Sequence, residues 1–204
     1  RLQAQTLRRT HLGSDEASRD LAVQRLNQGI DRAIALVEQM LVLARQEAQG
    51  SQAHAATPVD LQALVRDGIT AVLPQAQAQA RNIDLGLLEG DAVVVQGNPD
   101  SLHILLRNLL DNAIKYTPEH GQVDVELRRD GTVPVLAVED SGPGLDEEGR
   151  DRAFDRFYRA ADASASGSGL GLAIVKAIAD QHGAAVQLLP SSQLGGLRVE
   201  VRFA

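Results

Sequence analysis

The spacing of hydrophobic and polar residues changes along the chain and marks out its elements. Between residues 19 and 48, Val23, Leu26, Ile30, Ala33, Val37, Met40 and Ala44 recur at steps of three and four. That is a heptad seam over about three repeats. Leu36, Leu41 and Leu43 widen the apolar face, which suits one helix of a four-helix bundle better than a two-stranded coil. An amphipathic helix packed on its own domain would give the same pattern. Residues 2–9 read as the end of a preceding helix, with Gly13 and Ser14 as the break and Ser14-Asp15-Glu16 as a new cap. Residues 49–57 are small and polar and read as a linker.

Past residue 57 the periods shorten and mix. Residues 58–61 predict a short strand entering a helix that runs to about Arg81, in which Pro74 should kink or split the run. Residues 83–88 and 93–96 read as strands. Asn98-Pro99-Asp100 combines a capping amide with proline at the first helical position, so a helix should run from there to Tyr116, before Pro118. Val123, Val125 and Leu127 alternate with Gln122, Asp124 and Glu126, a half-buried strand. Residues 133–138 form a more continuous apolar strand. Helices follow over about 146–157 and 169–182, the second closed by Gly183. Val199, Val201 and Phe203 alternate with Arg198, Glu200 and Arg202 in a last strand. The layout from residue 58 onward is an α+β two-layer sandwich, a mixed sheet with helices on one face. The expected organisation is a helical hairpin fragment (1–48), a linker (49–57) and one α+β domain (58–204).

Composition narrows the chemistry. Hydrophobic residues make up 44% of the 204, but aromatics only 2%, so the core must be aliphatic. A net charge of -7 speaks against a nucleic-acid surface, which needs clustered Lys and Arg. It leaves room for a small basic cluster that could hold a nucleotide. Without cysteine there is neither a disulfide nor a thiolate metal site. No apolar run approaches the roughly 18–20 residues of a membrane-spanning helix.

Four segments carry candidate chemistry. On the predicted helix ending at Tyr116, Asn108, Asn112 and Lys115 share one face. Amide oxygens suit a hard cation such as Mg²⁺, and a lysine suits phosphate. Asp140-Ser141-Gly142-Pro143-Gly144-Leu145 follows a strand. There a carboxylate could accept from an exocyclic amine, and glycines could admit a flat ring. Gly167-Ser168-Gly169-Leu170-Gly171-Leu172 opens a helix, and backbone N–H groups with the helix dipole attract anions. The loop lacks the Gly-Lys-Ser/Thr ending of a Walker loop and fails the six-residue dinucleotide fingerprint at Leu172. Phe154-Asp155-Arg156-Phe157-Tyr158-Arg159 could anchor a mobile loop and aim arginine at a terminal phosphate. Taken singly, each segment also reads as something plain: a solvated polar face, a turn, a flexible loop, an amphipathic helix end.

Their order and spacing together resemble the sensor histidine kinase family, within the wider group of ATPases and kinases that share the Bergerat ATP-binding fold. Residues 108–116 are similar to the family's N box, 140–145 to its G1 box, 154–159 to its F box and 167–172 to its G2 box. Residues 19–48 resemble the second helix of its dimerisation and phosphotransfer domain. The resemblance implies ATP and Mg²⁺ as cofactors. Asn112 would ligate Mg²⁺, with Asn108 nearby supporting phosphate or metal. Lys115 would contact phosphate, and Tyr116 would flank the nucleotide. Asp140 would bind the adenine amine, with Gly142 and Gly144 shaping the pocket. Arg159 would approach the γ-phosphate. The amides from Gly167 and Ser168 through Gly169, Leu170, Gly171 and Leu172 would hold the phosphates, and residues 160–166 would form a short ATP lid. A homodimer through the hairpin, weakened by truncation, and a response-regulator receiver domain are the implied protein partners. The implied location is the cytoplasmic portion of an inner-membrane sensor protein.

One departure changes the expected activity. The family accepts phosphate on a histidine followed by Glu or Asp, with a proline a few residues on. None of the five histidines, His11, His54, His103, His120 and His182, has that context. The chain is expected to begin just after such a motif, to bind ATP and not to phosphorylate itself. Two other functions share these features. ATP-hydrolysing relatives place a water-activating Glu where this chain has Asn108, which favours transfer to a protein acceptor over hydrolysis. A nucleotide-binding dimerisation scaffold would not need the polar helix face and glycine loops.

Overall fold

A computed structural model describes residues 56–78, 82–86, 93–159 and 168–204. The expected hairpin over 1–48, all of the linker before Ala56, Gly167 and the expected lid over 160–166 lie outside the described residues.

The elements follow in chain order: β1 (Thr57–Asp60), α1 (Leu61–Ala78), β2 (Asn82–Gly86), β3 (Val94–Gly97), α2 (Pro99–Tyr116), β4 (Gln122–Asp130), β5 (Val133–Asp140), α3 (Glu147–Arg152), α4 (Gly171–Gln181), β6 (Ala185–Pro190) and β7 (Leu197–Arg202). Strands β1 and β3 form an antiparallel ribbon with Val59 opposite Val95. Thr57, assigned to the linker by its composition, therefore begins a strand. The main sheet runs β2-β4-β5-β7-β6. Its β2–β4 pair is parallel and the other pairs are antiparallel, so the sheet is mixed as expected.

Register sorts the sheet into two unlike faces, because side chains alternate along each strand. Val125 pairs with Val138, and Val138 with Val199; Leu127 pairs with Leu136, and Leu136 with Val201. These buried residues make the apolar face. Leu102, Leu105, Leu106, Leu109 and Leu110 of α2 are all buried to 2% exposure or less. Their three-and-four spacing gives α2 one continuous apolar side. The opposite sheet face is an ion-pair lattice. Arg198 reaches Glu139 at 3.0 Å and Glu200 at 2.9 Å and also pairs with Glu126. Arg128 reaches Glu200 at 3.1 Å, and Arg202 bonds Asp130.

Helix α2 begins as its sequence dictates. The Asn98 side chain accepts from the Ser101 N–H at 3.0 Å, and Pro99 takes the first turn, where no donor is needed. One expectation about helices is narrowed and two need correction. Helix α1 is a single run from Leu61 to Ala78 with Pro74 inside it; the exposed proline does not split it, because the buried Leu64, Val65, Ile69, Val72 and Ala76 hold the run against the core. Helix α3 stops at Arg152 instead of reaching Phe157, and Phe157 itself adopts a left-handed φ of 66° that no α-helix accepts. Helix α4 starts at Gly171 rather than Gly169, because Gly169 also has positive φ, at 73°. Strand β6, absent from the sequence pattern, completes the sheet at its edge.

Candidate functional site

The C-terminal end of α2, the end of β5, the first turn of α4 and the loop around α3 surround one cavity of about 600 Å³. That volume is typical of small-molecule sites. Its lining includes Asn112, Tyr116, Asp140, Gly144, Arg159 and Leu172. The cavity thus brings together residues from all four segments singled out in the sequence.

Asp140 ends β5 and is 6% exposed. Its Oδ1 accepts from the Gly142 N–H at 2.8 Å and the Leu197 N–H at 3.3 Å, while its own carbonyl accepts from the Gly196 N–H at 3.1 Å. Burial raises its pKa above the ordinary carboxylate value; the two amides pull the other way, and neighbouring Glu139 adds to the rise. The backbone around this carboxylate is glycine by necessity. A Cβ on Gly142 would stand 2.7 Å from the Tyr116 carbonyl oxygen, and one on Gly196 would collide with Asp140 itself. Gly196 went unmarked in the sequence because it lies in no recognisable box. Only the register of β5 against β7 brings it beside Asp140.

On α2, Asn112 faces the first residue of α4. A Cβ on Gly171 would meet Asn112 Nδ2 at 2.8 Å and Oδ1 at 3.0 Å. The amide of Asn112 and the glycine-rich helix start are therefore in contact. Tyr116 lines the cavity and receives Lys115 twice: Lys115 Nζ donates to the Tyr116 hydroxyl at 3.0 Å and lies 4.5 Å from the ring centroid. Lys115 itself is not among the lining residues. Neither is Asn108, whose Nδ2 donates to the Ile104 carbonyl at 2.8 Å on its own helix. The expected single face of Asn108, Asn112 and Lys115 is thus divided: Asn112 is in the cavity wall, Lys115 is one residue behind it on Tyr116, and Asn108 is folded back.

Among the described residues of the 167–172 segment, only Leu172 lines the cavity; Ser168 and Gly169 lie behind it and brace the start of α4. The Phe157 N–H donates to the Gly169 carbonyl at 3.0 Å, and a Cβ on Gly169 would stand 2.7 Å from the Phe157 carbonyl carbon. Residues 157 and 169, both at positive φ, are thereby pinned backbone to backbone and fix the two ends of the segment between them. The Ser168 hydroxyl accepts from the Leu170 N–H at 3.2 Å. Leu170 is fully buried beside this turn, which seats the start of α4. Sequence reasoning missed Arg152 and Tyr158, which stack at 4.7 Å from guanidinium to ring centroid and line the cavity with Asp146 and Glu148. Their signal was hidden because the 146–157 stretch reads as one helix.

Among the described residues, no group of three or more His, Cys, Asp or Glu could hold a metal by itself. An amide oxygen with ligand phosphates and water is a donor set that Mg²⁺ accepts, since it keeps several waters and takes few protein ligands. Asn112 in the cavity wall fits that role.

A sequence profile described as histidine kinase-, DNA gyrase B-, and HSP90-like ATPase matches residues 97–204. The chain is 40% identical to the sensor protein QseC of Salmonella typhi, over 94% of this chain and 41% of that protein. It is 37% identical to the sensor protein kinase PmrB of Pseudomonas aeruginosa, over 86% of this chain and 36% of that protein. Among solved structures it is similar to the mycobacterial sensor histidine kinase MprB, at 30% identity and a TM-score of 0.63, covering 72% of this chain and 96% of that one. The cytoplasmic segment of histidine kinase QseC is also similar, at 29% identity and a TM-score of 0.58, covering 86% of this chain and 94% of that one. The chain spans about two fifths of the length of the QseC relative.

Proposed function

The chain belongs to the histidine kinase-, DNA gyrase B-, and HSP90-like ATPase family, as a C-terminal part of a bacterial sensor histidine kinase, and on that premise we propose that it binds Mg-ATP in the cavity beside Asp140 and donates the γ-phosphoryl group to a histidine supplied from outside these 204 residues. The single observation that carries this reading is the contact between Asn112 and the start of α4, on the same cavity wall system as the buried Asp140 carboxylate. A metal-ligating amide, a helix N-terminus and an amine-accepting carboxylate around one space match the three parts of a Mg-nucleotide.

Each residue has a definable task. Asp140 Oδ1 is engaged by two backbone amides, which leaves Oδ2 for the adenine amine. Tyr116 flanks the base, and Lys115, held against it, reaches phosphate only on leaving the Tyr116 hydroxyl. Asn112 ligates Mg²⁺, which when bound neutralises phosphate charge. The N–H groups at the start of α4, Gly171 and Leu172 with Ser168 and Gly169 before them, serve the phosphates at a helix start, and that of Leu170 does so on leaving the Ser168 hydroxyl. Arg159, on the cavity wall, approaches the γ-phosphate. Gly142 and Gly144 shape the adenine wall, and Gly167, outside the described residues, is assigned to the phosphate loop by its motif alone. Asn108, bonded to its own helix, serves the phosphates only after rotating away from Ile104. Phosphoryl transfer needs chiefly positioning and charge neutralisation, so this set is chemically sufficient on the nucleotide side. Position 108 carries an amide where a hydrolysing relative needs a base for water, which favours transfer over hydrolysis.

Residues 1–48 are proposed to form part of a dimerising helical hairpin, joined through 49–57 to the catalytic domain, and a receiver domain is the proposed downstream acceptor. No helix among the described residues is long and apolar enough to cross a membrane, which is compatible with the cytoplasmic side of a membrane sensor. Incubating the chain with γ-labelled ATP, Mg²⁺ and an intact acceptor helix tests transfer. Label on the acceptor histidine is expected, and Asp140→Asn should abolish it. Release of free phosphate at the same rate without acceptor labelling would instead establish hydrolysis.

A further inference from the structure

His182 is remote from the cavity and yet joins the two helices that build it. It caps the C-terminal end of α4. Its Nδ1 lies 2.7 Å from the Ile178 carbonyl oxygen, and its Nε2 lies 3.1 Å from the Asn98 backbone nitrogen. A carbonyl can only accept and an N–H can only donate, so Nδ1 carries the proton and Nε2 is the acceptor. The ring thus bridges the last turn of α4 to the N-cap residue of α2, and both of its nitrogens are used. Asn98 in turn starts α2 through its side chain, which accepts from the Ser101 N–H.

Space has been left for this bridge. A Cβ on Gly97 would stand 2.6 Å from His182 Cδ2 and 2.9 Å from its Nε2. Gly97 has no positive φ to explain its identity; the imidazole is its nearest neighbour, ahead of Leu102 Cδ1 at 3.1 Å. At the other end of α4, Gly171 has the same relation to Asn112. The two helices therefore run antiparallel and are fixed at both ends, Gly171 on Asn112 and His182 on Asn98. The 11 residues of α4 span roughly 16 Å at 1.5 Å per residue, and packed helices transmit displacement rather than absorbing it.

We infer that His182 is a positioning residue for the nucleotide site: its bridge to the Asn98 N–H sets the register of α4 against α2, and so the placement of the phosphate-facing amides relative to Asn112. This rests on the Mg-nucleotide reading of the cavity. Losing the bridge frees the far end of α4 and leaves the Asn98 N–H without its acceptor, while every residue lining the cavity is retained.

The test is calorimetric titration of the 204-residue chain with a non-hydrolysable ATP analogue, with Mg²⁺ and with EDTA, on four proteins: unsubstituted, His182→Ala, Gly97→Ala and the double variant. Each single substitution should weaken the Mg²⁺-dependent binding about tenfold, since small misplacements at a remote support propagate to the site, and should change the EDTA value little. Gly97→Ala acts mainly by crowding the imidazole, the other close neighbour being the movable Leu102 Cδ1 at 3.1 Å, so it should add little once His182 is alanine. Thermal unfolding run alongside separates loss of register from loss of fold. Should His182→Ala unfold, amide exchange in Gly97→Ala decides: faster exchange over residues 168–176, with β4–β5 unchanged, supports the bridge, and unchanged exchange there overturns it. Folded single variants with the affinity of the unsubstituted chain, or losses that multiply in the double variant, overturn it as well. No uptake by the unsubstituted chain would instead overturn the nucleotide reading, and this inference with it.

Discussion

Burial makes the ionised form of Asp140 less favourable in the folded protein than in the unfolded chain. Its raised pKa means that the folded state holds the proton more tightly, so this residue's contribution to stability is greatest at low pH and is lost as pH rises through the folded value. Burial thus works against the ionised carboxylate, a pattern that clusters at functional sites. Asp140→Asn should therefore unfold no earlier than the native chain in urea at pH 7, while nucleotide affinity falls at least tenfold, about 1.4 kcal/mol. An Asn amide set to accept from the Gly142 and Leu197 N–H groups turns its NH₂ toward the adenine amine, donor against donor. Gly196→Ala should act differently, lowering stability by about 1–3 kcal/mol through overpacking along with affinity, because its Cβ collides with Asp140. A thermal melt combined with titration separates the two. Asp140 was legible from its place at a strand end before Gly142 and Gly144. Gly196 was not, because its neighbour is 56 positions away and only strand pairing reveals it.

At the scale of elements, the readable ones are those whose local pattern and tertiary role agree. Helix α2 announces both ends, by Asn98-Pro99 and by Pro118, and its leucines give the buried side. Strand β4 alternates as written. Strand β6 fails this test. It is an edge strand of mostly exposed residues, held by pairing to β7 alone, and tertiary pairing rather than propensity makes it a strand. The run of Phe154, Phe157 and Arg159 continues a helical spacing past α3, but the bond between Phe157 and Gly169 turns the backbone away. Pro74 is the converse case, a breaker overridden by burial on the other side of α1. A proline inside a helix removes one backbone bond, so Pro74→Ala should stabilise the domain by about 1 kcal/mol or more, raising the urea midpoint without moving ligand affinity.

For the molecule as a whole, the sheet separates two tasks. Its apolar face seats the helices and the cavity; its opposite face is held by arginine–carboxylate pairing. Desolvation works against the charge on Glu200, but hydrogen bonds from Arg198 and Arg128 outweigh it and lower its pKa. A lowered carboxylate pKa gives stability that is present above the unfolded value of 4.5 and lost as pH falls through the folded one. Acid unfolding should therefore steepen below about pH 4.5. Glu200→Gln, 5% exposed, should lose about 2 kcal/mol at neutral pH and flatten that acid limb, as followed by circular dichroism at a series of pH values. The alternation of Arg198, Glu200 and Arg202 showed in sequence that one side of β7 is polar. It did not show that these charges pair across three strands, which follows from register.

Whether one Mg-nucleotide draws Asn112, Asp140 and the start of α4 together can be read from a single titration. Adding a non-hydrolysable ATP analogue with Mg²⁺ to isotopically labelled chain, and following backbone and side-chain amides by NMR, should move Gly142, Leu170, Gly171, Leu172 and the Asn112 side-chain amide along one saturable curve, with the Asn112 response lost in EDTA. Saturation of these groups at different concentrations, or no shift in any of them at millimolar analogue, would contradict a shared nucleotide site.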